Sequence, residues 1–499
     1  MSDLLLGIDI GTTNIKAVLA TPDGRVVAQA HTGYPTYRPA PNHVEQDPED
    51  WWQGAVTVTR EVMGMVTAVP AQIIGIGISG QGCAVTLIDN KGEVVRPAII
   101  WMDSRAEPQS ETLRQTCAAA ILQHNGKQPA PYNADPVLMW LQEHEPESIV
   151  AAQCSLTSTG YINFRLTGTP VENISDASIL FAFDLANDNW SDNLIDAFGL
   201  PRKLYPEVTH SHEIIGKLTN LAARELGLCP GTPVIAGGED TSSAGLAIGA
   251  GKPGQAFLSL GTAGTMYVVE DAPIIHPQLL AFRHVLPDKQ LLGGSMAAVG
   301  GALSWCRDLL GEHADFGTLT ALAAQSNAGA DGVIFLPYLS GELQPINDGN
   351  ARGVFFGLSM RTEQPQFIRA VMEGAAYAIA HNVKIATEVG AKINEIRAVG
   401  GPTRSPLWCQ IMADVVGAPI SVMVDNAGAP LGNALLAAVG LGLIDDPVAT
   451  AENEAYVGHI YKPRPDRQAI YAPLFDMYQR LYPLLRDEFA QLAEIGTGD

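Results

Sequence analysis

The feature that most restricts this chain is a unit it spells twice, half its length apart: an apolar run, a Gly/Thr turn, and a second apolar run. Residues 4–10 lead through Gly11-Thr12-Thr13-Asn14 into 15–20, and 256–260 lead through Gly261-Thr262-Ala263-Gly264-Thr265 into 266–269. Apolar runs of strand length on either side of a short glycine turn predict an antiparallel pair. The turn presents consecutive backbone N–H groups and hydroxyls with no bulky side chain in front of them, which suits phosphate oxygens. Two such turns could clamp one nucleotide, although each by itself is also an ordinary hairpin turn.

Between and beyond the two units, strands and helices alternate. Strands are predicted at 26–30, 73–78, 84–89, 94–100, 234–236, 332–336 and 395–399. Helical spacing appears at 48–69, behind Asp47 as N-cap with Pro48 in the first turn, at 297–310, 319–324 and 365–388, from 407 onward, and in an amphipathic tail over 471–493. This is an α/β chain, and the Gly-rich stretch AIGAGKPGQ sets its division near residue 247, into 1–247 and 248–499.

Charge narrows the partners. With 30 Lys+Arg against 53 Asp+Glu the net charge is −23, which argues against a broad nucleic-acid surface. An anion must be bound locally, by backbone amides and a divalent metal. No apolar segment approaches the roughly 18 residues of a membrane span, the N-terminus has no basic start, and the six cysteines show no C-x-x-C spacing. The expectation is a cytoplasmic protein with no membrane partner.

Two carboxylates stand out. Asp9 closes the first apolar run beside the Gly/Thr turn and suits a magnesium ion held largely through phosphate and water. Asp240 follows two glycines at the end of a buried-strand signature and opens a small-residue helix start, where the helix dipole favours an anion. It is the first choice for chemistry, with Glu239 as the alternative base and a plain helix N-cap as the structural alternative. Competing nucleotide motifs fail on inspection: no Gly-Lys pair is followed by Ser or Thr, and Gly75-x-Gly77-x-x-Gly80 leads into a strand where a dinucleotide fingerprint needs a helix.

Taken in order, GIDIGTTNIKAVL, VEQDPEDWW, GISGQG, IIWMDSR, VIAGGEDTSSAGLAIG, LSLGTAG, FLPYLSGE, ARGVFFGLS and AVGGPTRSPLWCQIMADVVGAPI resemble the FGGY carbohydrate kinases, in particular their xylulokinase-like members. The resemblance runs from residue 4 to about residue 440. It implies two actin-like (ribonuclease H-like) ATPase domains flanking a catalytic cleft, sugar held by the first and ATP by the second, and a homodimer. By position, Gly11, Thr12 and Thr13 would meet the phosphates with Asp9 and Asp240 near magnesium. Asp240 would be the general base, Gly261, Thr262 and Gly264 the second phosphate loop, and Gly300, Gly401 and Ser405 the adenosine pocket. Gln81, Gly82, Asp103 and Arg105, with Asp240, are the candidates for the sugar side, since polyols need amide and charged groups. Asp103 and Arg105 could instead simply pair with each other. Trp51 and Trp52 could floor a sugar pocket, although adjacent helix aromatics also serve as core.

The reaction so implied is ATP-dependent phosphorylation of a sugar or polyol hydroxyl, most simply of a ketopentose such as xylulose. Departures from the family pattern bear on which sugar. Gln81-Gly82-Cys83-Ala84 stands where xylulokinases usually read Gln-Met-His-Gly and is more similar to L-xylulose and erythritol kinases; Val137 replaces a lysine, and Pro402 the third glycine of the adenosine loop. Alternatives are another acceptor such as erythritol, a tetrulose or ribulose, a weakened sensor, or an actin-like nucleotide switch without sugar turnover.

Overall fold

The structure is a computed structural model that describes residues 3–66, 69–310, 315–424 and 427–496. Its first sheet contains β1 (Leu4–Ile10), β2 (Asn14–Ala20), β3 (Val26–Gly33), β4 (Ile73–Gly80), β5 (Ile214–Lys217) and β6 (Pro233–Ile235), in the spatial order β5-β6-β4-β1-β2-β3. A second sheet contains β7 (Gln255–Leu260), β8 (Gly264–Glu270), β9 (Leu280–Arg283), β10 (Gln290–Met296), β11 (Glu395–Gly400), β12 (Ile420–Val424) and β13 (Tyr456–Tyr461), ordered β9-β10-β8-β7-β11-β12-β13. The repeat seen in the sequence is thus a repeat of topology. Three antiparallel neighbours, β1-β2-β3 or β7-β8-β10, are joined by a strand parallel to the first, β4 beside β1 and β11 beside β7.

The helices that build the layers are α1 (Pro48–Met65), α2 (Asp240–Ala247), α3 (Gly300–Leu309), α4 (Gln364–Glu388), α5 (Pro406–Val416), α6 (Ala429–Gly440) and α7 (Pro465–Gly496). β1 is buried along its whole length because both faces are covered, and its side chains divide with period two. Leu4, Leu6, Ile8 and Ile10 join Trp51, Ala55 and Val58 of α1, whereas Leu5 joins Leu431, Ala434 and Leu435 of α6. In the second sheet, Ala256, Leu258 and Leu260 pack with Ile368, Val371 and Met372 of α4. On its other face Phe257 lies against α2, where a Cβ on Gly245 would come within 2.9 Å of the ring.

One helix crosses between the halves and another sits between them. α6, which lies in the chain between β12 and β13 of the second sheet, covers the first, while α2 has Leu246 and Ala247 packed among Leu5, Val18 and Ile235 of the first sheet and Gly245 against Phe257 of the second. α2 and α6 cross so closely that a Cβ on Gly432 would lie 2.1 Å from the Ser243 carbonyl oxygen.

Several boundaries depart from expectation. The strand expected over 94–100 contracts to Ala98–Ile99, because Pro97 has no N–H for a ladder. The strand expected over 84–89 is Thr86–Asp89. α3 starts three residues later than expected, since the N–H groups of Val299 and Gly300 donate to carbonyls of the second Gly/Thr loop. β9 and β10 have no counterpart among the expected strands: QLLGGSM looks like a glycine loop, yet a Cβ on Gly293 would fall 1.9 Å from Met266 O of β8, so the neighbouring backbone demands glycine. α1 ends at Met65, and residues 67–68 of the expected 48–69 helix lie outside the described residues.

Candidate active site

The end of β4 organises the site. Asp9 lies beside Ser79 in the parallel register of β1 and β4, and Ser79 Oγ donates to Asp9 Oδ1 at 2.9 Å. On the other flank, Gly238 and Glu239 pair with Ser79 and Gly80 and deliver the chain to Asp240. Two strand ends on either side of one strand thus bring Asp9 and Asp240 to the same wall. Gly237 makes this possible: its φ is +72°, and an added Cβ would sit 1.8 Å from Ile78 O.

Asp240 is the first residue of α2, and the N-cap is Glu239, whose Oε2 accepts from Ser242 N at 2.8 Å. The plain N-cap reading of Asp240 is therefore corrected by one position. Thr241 Oγ1 donates to Asp240 Oδ1 at 2.9 Å. Burial first, then the Glu239 carboxyl beside it, pushes the Asp240 carboxyl well above its usual range. Asp9 is pushed up to about 6, by burial and then by Asp240, while Lys16, opposite it on β2, pulls it down.

Asp9, Lys16, Asp240, Thr241, Thr265, Gly400 and Gly401 line a cleft of about 800 Å³ between the halves. A second cavity, of about 540 Å³, opens beside it and shares Gly401 and Arg404. It gathers Gly261, Thr262, Gly300, Gly401 and Ser405, five residues from three separated segments. Ser405 caps α5, with its Oγ accepting from Trp408 N at 3.2 Å and facing Thr320 Oγ1 at 3.2 Å. Leu303, Phe316, Thr320 and Trp408 complete this largely apolar wall. Sequence reasoning missed these four, because at helical spacing they read as core.

The first Gly/Thr loop is held from outside. The Thr12 carbonyl accepts from Gln46 Nε2 at 2.9 Å, Thr12 Oγ1 accepts from Trp101 Nε1 at 2.9 Å, and Tyr34 OH donates to Gly11 O. Asn14 Nδ2 donates to Thr13 Oγ1 at 2.9 Å. In the second loop, Gly261 O accepts from Gly300 N and Thr262 O from Val299 N and Gly301 N, each at 2.9 Å. Gly264 stands apart from both cavities as the first residue of β8, where an added Cβ would be 2.7 Å from Val299 Cγ2.

On the expected sugar side, Asp103 and Arg105 bond each other, Nη2 to Oδ2 at 2.8 Å, and Arg105 also reaches Glu45 Oε1 at 2.8 Å. Asp103 Oδ2 further accepts from Val44 N at 2.5 Å. The pair fastens its own loop, and its groups are spent on one another. Gln81 is buried at 1% exposure, donates from Nε2 to Gln46 Oε1 at 2.7 Å, and leaves Oε1 with no hydrogen-bond partner among the described residues. Beside it, Gly82 leaves room up to Ile179 Cδ1, 3.2 Å from where a Cβ would lie. Trp51 and Trp52 are core, with Trp51 Nε1 donating to Gln46 Oε1 at 3.0 Å and Trp52 Nε1 to Glu225 Oε2 at 2.6 Å.

No helix among the described residues is long and apolar enough to cross a membrane. Residues 4–247 match the N-terminal domain of the FGGY family of carbohydrate kinases, and residues 256–441 match its C-terminal domain. The chain is 33% identical to a xylulose kinase of Escherichia coli over 485 residues, 97% of this chain and 99% of that one. Among solved structures, it superposes on a xylulose kinase from Rhodospirillum rubrum with a TM-score of 0.92 at 32% identity, covering 98% of this chain and 100% of that one. A ligand-bound xylulose kinase from Lactobacillus acidophilus gives 0.94 at 26% identity, with 98% and 100% covered. The fold is accordingly the expected pair of actin-like, ribonuclease H-like halves around a cleft. With both family domains matched along the chain, a relative above 30% identity end to end, and paired carboxylates on the cleft wall, the protein belongs to the FGGY family of carbohydrate kinases and phosphorylates a sugar hydroxyl with ATP.

Proposed function

We propose that the enzyme phosphorylates a ketopentose such as xylulose, with Asp240 as general base, residues 1–247 holding the sugar and 248–499 the nucleotide. The observation that carries this reading is the pairing of Asp240 with Asp9 on the wall of a cleft that opens into an apolar pocket of base-plus-ribose size. The relatives described above are xylulose kinases.

In this reading the adenosine enters the pocket lined by Gly261, Gly300, Gly401 and Ser405, and the phosphates extend between the loops Gly11-Thr12-Thr13 and Gly261-Thr262. A sugar hydroxyl attacks the γ-phosphorus in line, and its proton passes to the Asp240 carboxylate as the new O–P bond forms. Burial and Glu239 raise the proton affinity of Asp240, which strengthens it as a base, while Thr241 Oγ1 fixes one of its oxygens. Closing the halves over the sugar excludes the water that would otherwise take the phosphoryl group.

A magnesium ion fits the donor set. Asp9 and Asp240 supply two hard carboxylate oxygens on one wall of the cleft, and the Asp240 charge raises the Asp9 carboxyl. Few protein ligands, with the remainder from phosphate and water, is the pattern of magnesium. Asp9 and Asp240 would hold it, and it would neutralise charge on the transferred phosphate. Free thiols at all six cysteines and the need for ATP suit the cytoplasm as the working compartment.

A second reading, a kinase for ribulose, a tetrulose or erythritol, is favoured by Gly82 and Cys83, which stand where the resemblance leads one to expect Met and His. The test of both is ADP release from Mg-ATP across ketopentoses, ketohexoses, tetruloses and polyols, with Asp240→Asn alongside. One sugar should raise turnover far above background, and the variant should lose about a thousandfold or more of it. ADP release that is flat across the panel and unchanged in the variant removes Asp240 as the base for every sugar tested.

A further inference from the structure

The polarity of the Gln81 amide is set by a chain of hydrogen bonds that can be read in one direction only. Gln46 is fully buried, at 0% exposure, and uses both ends of its side chain. Its Oε1 faces Trp51 Nε1 at 3.0 Å, and an indole N–H can only donate, so this atom must be the amide oxygen. Its other end faces the Thr12 carbonyl at 2.9 Å and Thr36 Oγ1 at 2.8 Å, and a carbonyl can only accept, so that atom must be the NH2. Oxygen and nitrogen of a glutamine are assigned from such partners, and here two independent ones agree.

Gln81 inherits its orientation from this. The group of Gln81 that lies 2.7 Å from Gln46 Oε1 must be a donor, which turns Gln81 Oε1 away to a position where it meets no partner among the described residues. The main chain around it is also fixed: Gln81 N donates to Ile10 O at 2.9 Å, and Gln81 O accepts from Ser158 Oγ at 3.0 Å. A buried, unmet acceptor held in one orientation is what a hydroxyl donor would satisfy.

We propose that Gln46 is a positioning residue that presents the Gln81 carbonyl oxygen, and not its NH2, to a sugar hydroxyl, and that ties this group to the first phosphate loop through Thr12. The same side chain thus serves both substrates: its acceptor end orients the sugar-side amide and its donor end holds the loop beside Asp9. The inference rests on the reading of Gln81 as a sugar contact and goes beyond it in assigning how the contact is oriented and coupled.

The experiment is a KM and kcat determination for both ATP and the preferred sugar at pH 8, with thermal midpoints, on the full chain and four variants. Gln81→Met removes the contact and should raise the sugar KM about tenfold. Gln46→Glu keeps an acceptor for Trp51 and Gln81 but loses the donor to Thr12, so the ATP KM should rise while the sugar KM stays within about twofold. Gln46→Met loses both ends and should raise both KM values, and adding Gln81→Met to it should raise the sugar KM no further. If Gln81→Met leaves the sugar KM unchanged, the sugar-side reading itself falls. If Gln81→Met raises it but both Gln46 variants move the two KM values together, in step with the thermal midpoint, Gln46 is only structural and the positioning role is overturned.

Discussion

Gly7 of β1 lies directly beneath Pro430 of α6, so close that a Cβ on Gly7 would stand 1.8 Å from the Pro430 carbonyl oxygen and 2.7 Å from its carbonyl carbon. Both atoms belong to backbone, so a larger residue cannot be accommodated by turning a side chain. Gly77 of β4 repeats the arrangement, with its Cβ position 2.5 Å from Asn433 O. The helix from the second half is therefore seated on the bare backbone of the first sheet. Gly7→Ala should destabilise the protein by about 3 kcal/mol or more. Gly64→Ala, where nothing lies within 4 Å of the added atom, should be neutral or slightly stabilising. Urea unfolding of the two variants side by side checks the contrast, and equal midpoints would contradict it.

Lys127 is a second tie between the halves. Its ammonium donates to Ala281 O of β9 at 2.7 Å, to Ser178 O at 2.8 Å, and to the side-chain oxygen of Asn125 at 3.0 Å. β9 is the edge of the second sheet, and this contact, with Arg283 N donating to Ser178 Oγ at 2.8 Å, closes that edge against the first half. Lys127→Met fits the space but leaves these oxygens without their donor, at a cost of about 2 kcal/mol after relief of the buried charge. Hydrogen exchange should show faster exchange over residues 280–283 in the variant, with residues 4–10 unaffected. Uniform change along the chain would argue against a local tie.

What could be read from the sequence follows from how local each feature is. Asp9 and Asp240 each end an apolar run next to glycines, so strand, turn and carboxylate all lie within a few residues and the reading needed no distant partner. Lys127 offered nothing of the kind: in Gly126-Lys127-Gln128 it looks like a solvated turn, and the two acceptors that decide its role are backbone carbonyls 51 and 154 positions away. Asp103 and Arg105 were ambiguous for the opposite reason. Two residues apart, they can either pair or reach a ligand, and only Glu45 and Val44 N, brought in by the fold, decide for pairing. The seating of α6 on the first sheet was equally invisible, because a boundary near residue 247 marks where the chain changes sheets and not which sheet a helix covers.

The nucleotide pocket gives a kinetic prediction. Gly300 N donates to Gly261 O at 2.9 Å, and a Cβ on Gly300 would lie 2.4 Å from that same oxygen and 3.4 Å from Pro402 Cγ. Gly300→Ala must push the second Gly/Thr loop away from α3. The ATP KM should rise about tenfold or more, with the sugar KM little changed, because the hydrogen bonds that fix Gln81 go to Gln46, Ile10 and Ser158 and not to this loop. Steady-state kinetics with each substrate varied in turn checks this, and a parallel rise in both KM values would mean that the loop reaches the sugar.

Glu342 gives a prediction in pH. It is 4% exposed; its Oε1 accepts from Ala297 N and Leu343 N, each at 2.8 Å, and its Oε2 has no partner among the described residues. Burial pushes its carboxyl from 4.5 up to about 7. Between those values the folded protein holds a proton that the unfolded chain has released, so stability falls as the pH rises from about 4.5 to 7 and is level above that. The full effect of such a shift is on the order of 3 kcal/mol. Glu342→Gln keeps an acceptor for both N–H groups and cannot ionise, but its amide N–H2 gains no partner. The variant should therefore be slightly less stable than the parent at pH 5 and more stable at pH 8, and the gap between the two pH values should narrow. Urea midpoints at pH 5 and pH 8 measure it: an unchanged gap would mean that Glu342 stays ionised in the folded protein throughout, with its two amide bonds outweighing the cost of burial.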